Sequence, residues 1–395
     1  MSYARQACIV VLLLANVTAG DERQPIEITD PVDYKAAVID YHGEAATDAI
    51  SQLKSRITKG EVALQRRGDS GYLLDLLAAL KIPVTSQMLV FSKTSLQQDH
   101  VTPKNPRAIY FNDEVSVAWI PGAPLLEIVA QDPVKGALFY TVSQSGDDGP
   151  SQQITWRREQ RCLECHASTA TLNVPGHMLR SFQVDELGER DIHGEHSDVT
   201  HATKYEKRWG GWYVTGKSPK MAHAGNLFGE EDASRHERDT TFRGTLANLT
   251  ELVDLAKYPS AHSDLVALLV LEHQLHFYNL VTRVQYEHRL GQRSDAEERL
   301  ARYALMEDEA PLLCPVEGST KFATSYQSRG PRDSRGRSLQ DLNLQTRLYE
   351  HRLSPLVHSR AFRSLPEDVQ ARLWKQFRQA RGDGIESVPS GATAP

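Results

Sequence analysis

Residues 108–142 read AIYFNDEVSVAWIPGAPLLEIVAQDPVKGALFYTV, four short runs rich in β-branched and aromatic residues. Between the runs stand Asn112-Asp113, Pro121-Gly122 and Asp132-Pro133, side chains that favour turns because they fix φ or bond their own backbone. A fifth run, 88–91, precedes them. Runs of this length and spacing predict an antiparallel meander.

On both sides of the meander the apolar period becomes helical. Between 31 and 80 it passes through Tyr34, Ala37 and Val38, then Leu73, Leu74, Leu76 and Leu77, with Gly68-Asp69-Ser70-Gly71 as a break and Pro83 as a stop. From Leu246 onward, helices are predicted over 248–258, 263–290, 294–309, 338–353 and 366–380. Ser263 reads as an N-cap with Asp264 in the first turn, and Ser294 with Glu297 has capping-box spacing. Pro366 before Glu367 and Asp368 opens the last helix. The fold class is therefore α+β: N-terminal helices and an antiparallel meander, a loop-rich central segment, and a mainly helical C-terminal part.

The central segment, 151–237, holds seven of the fifteen histidines and little helical periodicity. Within it lies Cys162-Leu163-Glu164-Cys165-His166. Two cysteines so spaced can add across both vinyl groups of a haem, and the following histidine reaches the iron, which makes this a c-type haem attachment signal. The same five residues could serve as a dithiol redox pair or half a zinc site. The N-terminus bears on that choice. Arg5, an apolar run over 7–15, and small residues Val17 and Ala19 read as a secretory signal over 1–19, with the mature chain starting near Gly20 outside the cytoplasm. Thioether attachment occurs on that side of the membrane, so the two signals support each other.

Cys8 falls within the signal, and Cys314 has no cysteine or histidine pair beside it, so it reads as a buried thiol. A formal net charge of -6 gives no reason to expect nucleic acid. After the signal the longest apolar run, 265–271, is too short for a membrane span, and a soluble exported (periplasmic) protein is expected.

His166 is the proximal ligand in a haem reading. For the opposite axial position the nearby candidates are His177, Met178, His193, His196, His201, Met221 and His223, with His273 and His276 on the long helix. His193, His196 and His201 could also form a second metal cluster. His273 and His276 share a helix face and could equally hydrogen-bond inside a bundle. Arg208-Trp209-Gly210-Gly211-Trp212 could line a haem edge, with Arg208 or Lys217 on a propionate, or simply form a tight turn in the core.

Six blocks follow one another in order: 86–95 (SQMLVFSKTS), 106–113 (PRAIYFND), 162–166, 174–177 (VPGH), 208–216 (RWGGWYVTG) and 223–226 (HAGN). Over about residues 70–290 the chain resembles a widespread family of exported bacterial cytochrome c domain-containing proteins. The resemblance implies one covalent haem c and export, and no particular reaction. Family members read His-Met-Gly-Asn where this chain has His223-Ala224-Gly225-Asn226, which argues against methionine ligation there and leaves His223 as the provisional distal iron ligand.

The expected organisation is a signal at 1–19, an α+β part over 20–150, a haem-binding segment over 151–237, a helical part over 238–381 and a disordered tail at 382–395. The expected function is one-electron transfer by a monohaem cytochrome, with Cys162 and Cys165 holding the haem, His166 on the iron, and an unidentified redox partner protein. Two alternatives stand beside it. The length of the chain suits a haem enzyme of peroxidase or oxidoreductase type with an open sixth iron site; the other is a sensor or binding module in which the N-terminal meander binds a ligand and the haem reports redox state or a diatomic gas.

Overall fold

The computed structural model describes residues 30–144 and 154–380. The expected signal, the turn-rich loop at 146–150 and the expected tail at 382–395 lie outside the described residues. Ahead of the meander come helices α1 (Ala49–Thr58) and α2 (Leu73–Ala79). The expected helical stretch at Tyr34–Val38 is instead a series of turns, with amides bonded two to four residues back.

The meander forms as the alternation dictates. Strands β1 (Met88–Val90), β2 (Arg107–Phe111), β3 (Val115–Trp119), β4 (Leu125–Asp132), β5 (Gly136–Ser143) and β6 (Trp156–Arg158) pair antiparallel in sequence order. Register fixes the two faces. Ala108 opposes Trp119, Val117 opposes Ile128 and Ile128 opposes Tyr140, so these side chains share one face. That face packs on Leu53 of α1 and Leu73, Leu76 and Leu77 of α2 in one buried cluster. The other face carries Arg107, Ile109, Ser116, Ala118, Glu127, Val129, Phe139 and Thr141, and its middle is left for something other than a helix.

After β6 come α3 (Leu163–His166), the paired strands β7 (Arg180–Phe182) and β8 (His196–Asp198), β9 (Gly216–Lys217) and α4 (Gly229–Arg238). The C-terminal part consists of α5 (Leu265–Leu290), α6 (Ala296–Ala304), β10 (Glu317–Gly318, paired with β9), α7 (Phe322–Arg329), α8 (Arg360–Arg363) and α9 (Glu367–Ala380). The α+β class is as expected. No helix among the described residues is long and apolar enough to cross a membrane.

Helix α5 is the axis of the molecule. Of its 26 residues 22 are buried, so it is enclosed on all sides rather than amphipathic. Its N-cap is Asp264, whose carboxylate accepts from the amides of Val266 and Ala267. Ser263, expected as the cap, bonds Tyr213 O and Leu89 N and so ties the helix start to the sheet. Burial presses the polar side chains on α5 to find partners, Gln285 Oε1 being an exception. Glu272 takes Arg208 and the Trp209 indole N–H, Gln274 donates to Asn112 O, and Arg283 donates to Asp30 O and Leu172 O.

Three C-terminal expectations are corrected. Residues 248–258 form turns with a single 3₁₀ turn at Leu255–Lys257. Leu249, Val253 and Tyr258 are buried there, which gives the sequence its period without a helix, while Asn248 caps its own turn at Thr250 N. Residues 338–353 fold as bends closed by the Leu342–Tyr349 bridge, and the Asn343 side chain takes the amides of Gln345 and Thr346. The capping box is absent: Asp295 is the N-cap of α6, Ser294 bonds Glu287, and Glu297 pairs with Arg372.

Arg208 and Glu272 are both almost wholly buried. Removing one partner strands the other charge, so Arg208→Ala is expected to cost about 3–5 kcal/mol in chemical denaturation. A joint Arg208→Met, Glu272→Leu replacement should cost far less. A cost for the single variant below about 1 kcal/mol would contradict this account of α5.

Candidate functional site

The open face of the meander is the floor of a cavity of about 470 Å³, within the range of organic-ligand sites. Its roof is α3 and the loop after it, and Leu271 and Leu275 of α5 close one side. Cys162, Cys165 and His166 all line it. A four-residue helix suffices to put them there, because Cys165 N and His166 N both bond back to Cys162 O.

His166 is held from two directions. Its Nδ1 lies 3.0 Å from the carbonyl of Gly176, and the Gly176 amide donates to the carbonyl of His166. A carbonyl only accepts, so Nδ1 carries the proton and Nε2 keeps its lone pair. The ring packs on Phe139 of β5, with centroids 4.9 Å apart. Burial pushes its pKa down to about 4, so the imidazole is neutral at ordinary pH, as a metal ligand must be.

The loop that carries Gly176 is fixed from the sheet and from α5. Pro175 O accepts from Ala137 N of β5, and the Asn279 side chain takes both the amide and the carbonyl of His177. A Cβ on Gly176 would lie 2.4 Å from Asn279 Oδ1, so glycine is required for this approach. His177 also lines the cavity, but its Nε2 donates to Gln131 Oε1 at 2.9 Å. It follows directly on the carbonyl that holds His166.

Both motif cysteines are free thiols, as is the buried Cys314. Burial pushes the Cys162 thiol up to about 12. A reactive dithiol needs the opposite shift, toward thiolate, which the burial of Cys162 works against. Among the described residues no group of three or more His, Cys, Asp or Glu side chains assembles as a metal site.

Met178, like His177, lines the cavity, whereas the other histidine and methionine candidates lie away from it. His223 is wholly buried elsewhere: Gly225 N donates to its Nδ1, and its Nε2 bonds Thr245 Oγ1 at 3.0 Å. With both nitrogens used and no place in the cavity wall, it does not fit the provisional distal position. His193 and His196 are exposed, whereas His201 is buried beside His273, Nδ1 to Nδ1 at 3.0 Å, with Tyr303 stacked on both rings. His276 packs against the same Tyr303. Met221 lies in the core, Lys217 pairs at the surface with Glu317, and Arg208 is committed to Glu272. Of the two tryptophans, Trp212 lines the cavity and Trp209 turns to Glu272.

The sequence reading missed the floor of the site. Arg107 and Glu127 stand on the open face, 3.6 Å apart, and Arg180 and Arg190 reach the cavity from the β7 region. The signal was present in the strands: 107 and 109 alternate with the buried 108 and 110, and 127 with 126 and 128, so a charged pair on a shared face was readable once the register was set. The wall holds five cationic side chains (Lys93, Arg107, Arg161, Arg180, Arg190) against two carboxylates (Glu127, Glu164). Lys93, Arg161 and Arg180 are paired with Glu189, Glu159 and Asp198, so Arg107 and Arg190 are the cations that an anionic occupant would meet.

No family model, curated protein or solved structure matches the chain.

Burial holds His166 near 4 and His177, His223 and His273 near 3, below the ordinary value of about 6.5. The unfolded chain thus binds more protons between those values, so the stability these residues allow is complete above about pH 6.5 and is lost as pH falls toward 3–4. Burial also lowers His201, His276 and His358, while Asp113, Glu114, Glu272 and Glu309, raised by burial, act in the opposite sense as four groups against seven. Each histidine contributes a slope of up to about 1.4 kcal/mol per pH unit. Denaturant midpoints should fall steadily from pH 7 to pH 4, and a flat profile would contradict the neutral burial of these rings.

Proposed function

We propose that the cavity holds one haem c, bound through Cys162 and Cys165 with His166 on the iron, and that the protein is an exported monohaem redox protein. The observation that carries this reading is the joint placement of the three motif residues in one cavity wall, with His166 Nδ1 committed to Gly176 O and Nε2 left as the ligand atom. The group fits the residues present. A flat apolar body would meet Ile109, Ala118, Val129, Phe139, Trp212 and Leu275, and its two carboxylates would enter a wall that offers Arg107 and Arg190. The bound group supplies one-electron chemistry, and the protein supplies the axial ligand, burial and local charge.

An open sixth position is the second reading, and one observation favours it over a carrier with two protein ligands. Among the described residues, Met178 is the one His or Met side chain in the cavity wall, other than His166, that could ligate iron without breaking a bond that the structure shows: His177 is held by Gln131, and His223 is elsewhere. The enzyme and sensor alternatives share this feature.

Two measurements test these readings. The pair Cys162→Ala, Cys165→Ala should abolish haem that survives acid-acetone extraction, and unchanged covalent haem would refute attachment there. The reduced protein should bind carbon monoxide with a shift of its Soret band, and His223→Gln should leave the spectrum of the unliganded protein unchanged. A spectrum indifferent to carbon monoxide that becomes responsive in Met178→Ala would assign Met178 as the sixth ligand and select the carrier.

A further inference from the structure

Arg107 is the least satisfied charged group at the cavity. It rises from β2 on the open face, with its side chain only 14% exposed. Its Nε is buried with no hydrogen-bond partner, and its NH1 stands 3.6 Å from Glu127 Oε2, longer than a hydrogen bond. Glu127 does not depend on it, because Oε1 already accepts from Ser95 Oγ at 2.6 Å and Gln97 Nε2 at 3.1 Å. A buried guanidinium with its fork unused is costly unless an anion completes it.

Its position on the sheet says which anion. His166 packs on Phe139 of β5, so the attachment end of the cavity lies over β5. The Arg107 backbone stands three strands away on β2, and its guanidinium reaches back over the sheet to within 3.6 Å of Glu127 on β4. A haem carries its vinyl groups and its two propionates on opposite edges. A group fixed by its vinyl edge at Cys162 and Cys165 would carry its carboxylates away from β5 and β6, to the side of the sheet from which Arg107 rises. We infer that Arg107 is the carboxylate clamp of the site, a positioning residue whose paired N–H groups receive a haem propionate; this rests on the haem reading above. Glu127, held in place by Ser95 and Gln97, keeps the guanidinium turned toward the cavity. A lysine would supply charge there without the planar fork.

The clamp makes a prediction about reduction potential that a merely structural arginine does not. Cancelling a propionate charge disfavours the oxidised, more positive iron, so removing the cation should lower the midpoint potential. It should also raise the propionic acid pKa, so the potential of the variant should fall with rising pH between about 5 and 8. The experiment is spectroelectrochemical titration of the full-length holoprotein, wild type, Arg107→Gln and Arg107→Lys, from pH 5 to pH 8. The expected result is a lowered, pH-dependent potential in Arg107→Gln and an intermediate profile in Arg107→Lys. Should the glutamine variant not fold, the lysine variant still reports, since loss of the fork alone is expected to shift its profile. Wild-type profiles in the haem-bearing variants would overturn the clamp and leave the haem reading standing. A wild-type protein without covalent haem would overturn both.

Discussion

Helix α5 has no solvent face, and the rest of the structure is arranged to satisfy it. A helix buried on all sides carries polar side chains at a cost unless partners meet them, and α5 carries Glu272, His273, Gln274, Asn279 and Arg283. The partners come from distant parts of the chain: Asn112 from the meander, Arg208 and Trp209 from the glycine-rich turn, His177 from the loop after α3, and Asp30 from the start of the described chain. These bonds are directional and made in low dielectric, so they fix where each segment lies more tightly than apolar packing alone would.

The candidate site inherits its precision from this arrangement. Asn279 grips His177 by both backbone groups, which places the Gly176 carbonyl, which in turn orients His166. On the other side, the register of the meander sets which residues face the cavity. A one-residue slip would turn Arg107, Glu127 and Phe139 into the α1–α2 core and bring Tyr110 and Ile128 to the cavity. The sheet thus sets the cavity floor and, through Ala137 N on Pro175 O and Phe139 against the ring, shares with α5 the placing of the His166 imidazole.

Much of this was legible in the sequence, and the failures share a cause. The meander strands were readable because alternation reports a two-faced sheet directly, and α5 and α9 were readable from length and terminal signals. That Cys162, Cys165 and His166 fall together in one cavity wall was readable because a single short turn holds all three. The turns at 248–258 and 338–353 were read as helices because Leu249 and Val253 bury at helix-like spacing, while the deciding bonds come from Asn248 and Asn343 to local amides. His223 was singled out by sequence proximity and resemblance, yet its Thr245 and Gly225 contacts depend on how separate loops meet. Arg107 was passed over because a charge in a strand reads as solvent-facing until the register shows it inside a cavity.

The central claim is that Cys162 and Cys165 are the attachment points of a haem. The most direct test is mass spectrometry of the tryptic peptide spanning 162–180, taken from protein produced in a host that matures c-type cytochromes. The account predicts one peptide bearing one haem through two thioether bonds, with neither cysteine open to alkylation. A peptide with two alkylatable thiols, or with Cys162 and Cys165 joined to each other, would contradict it.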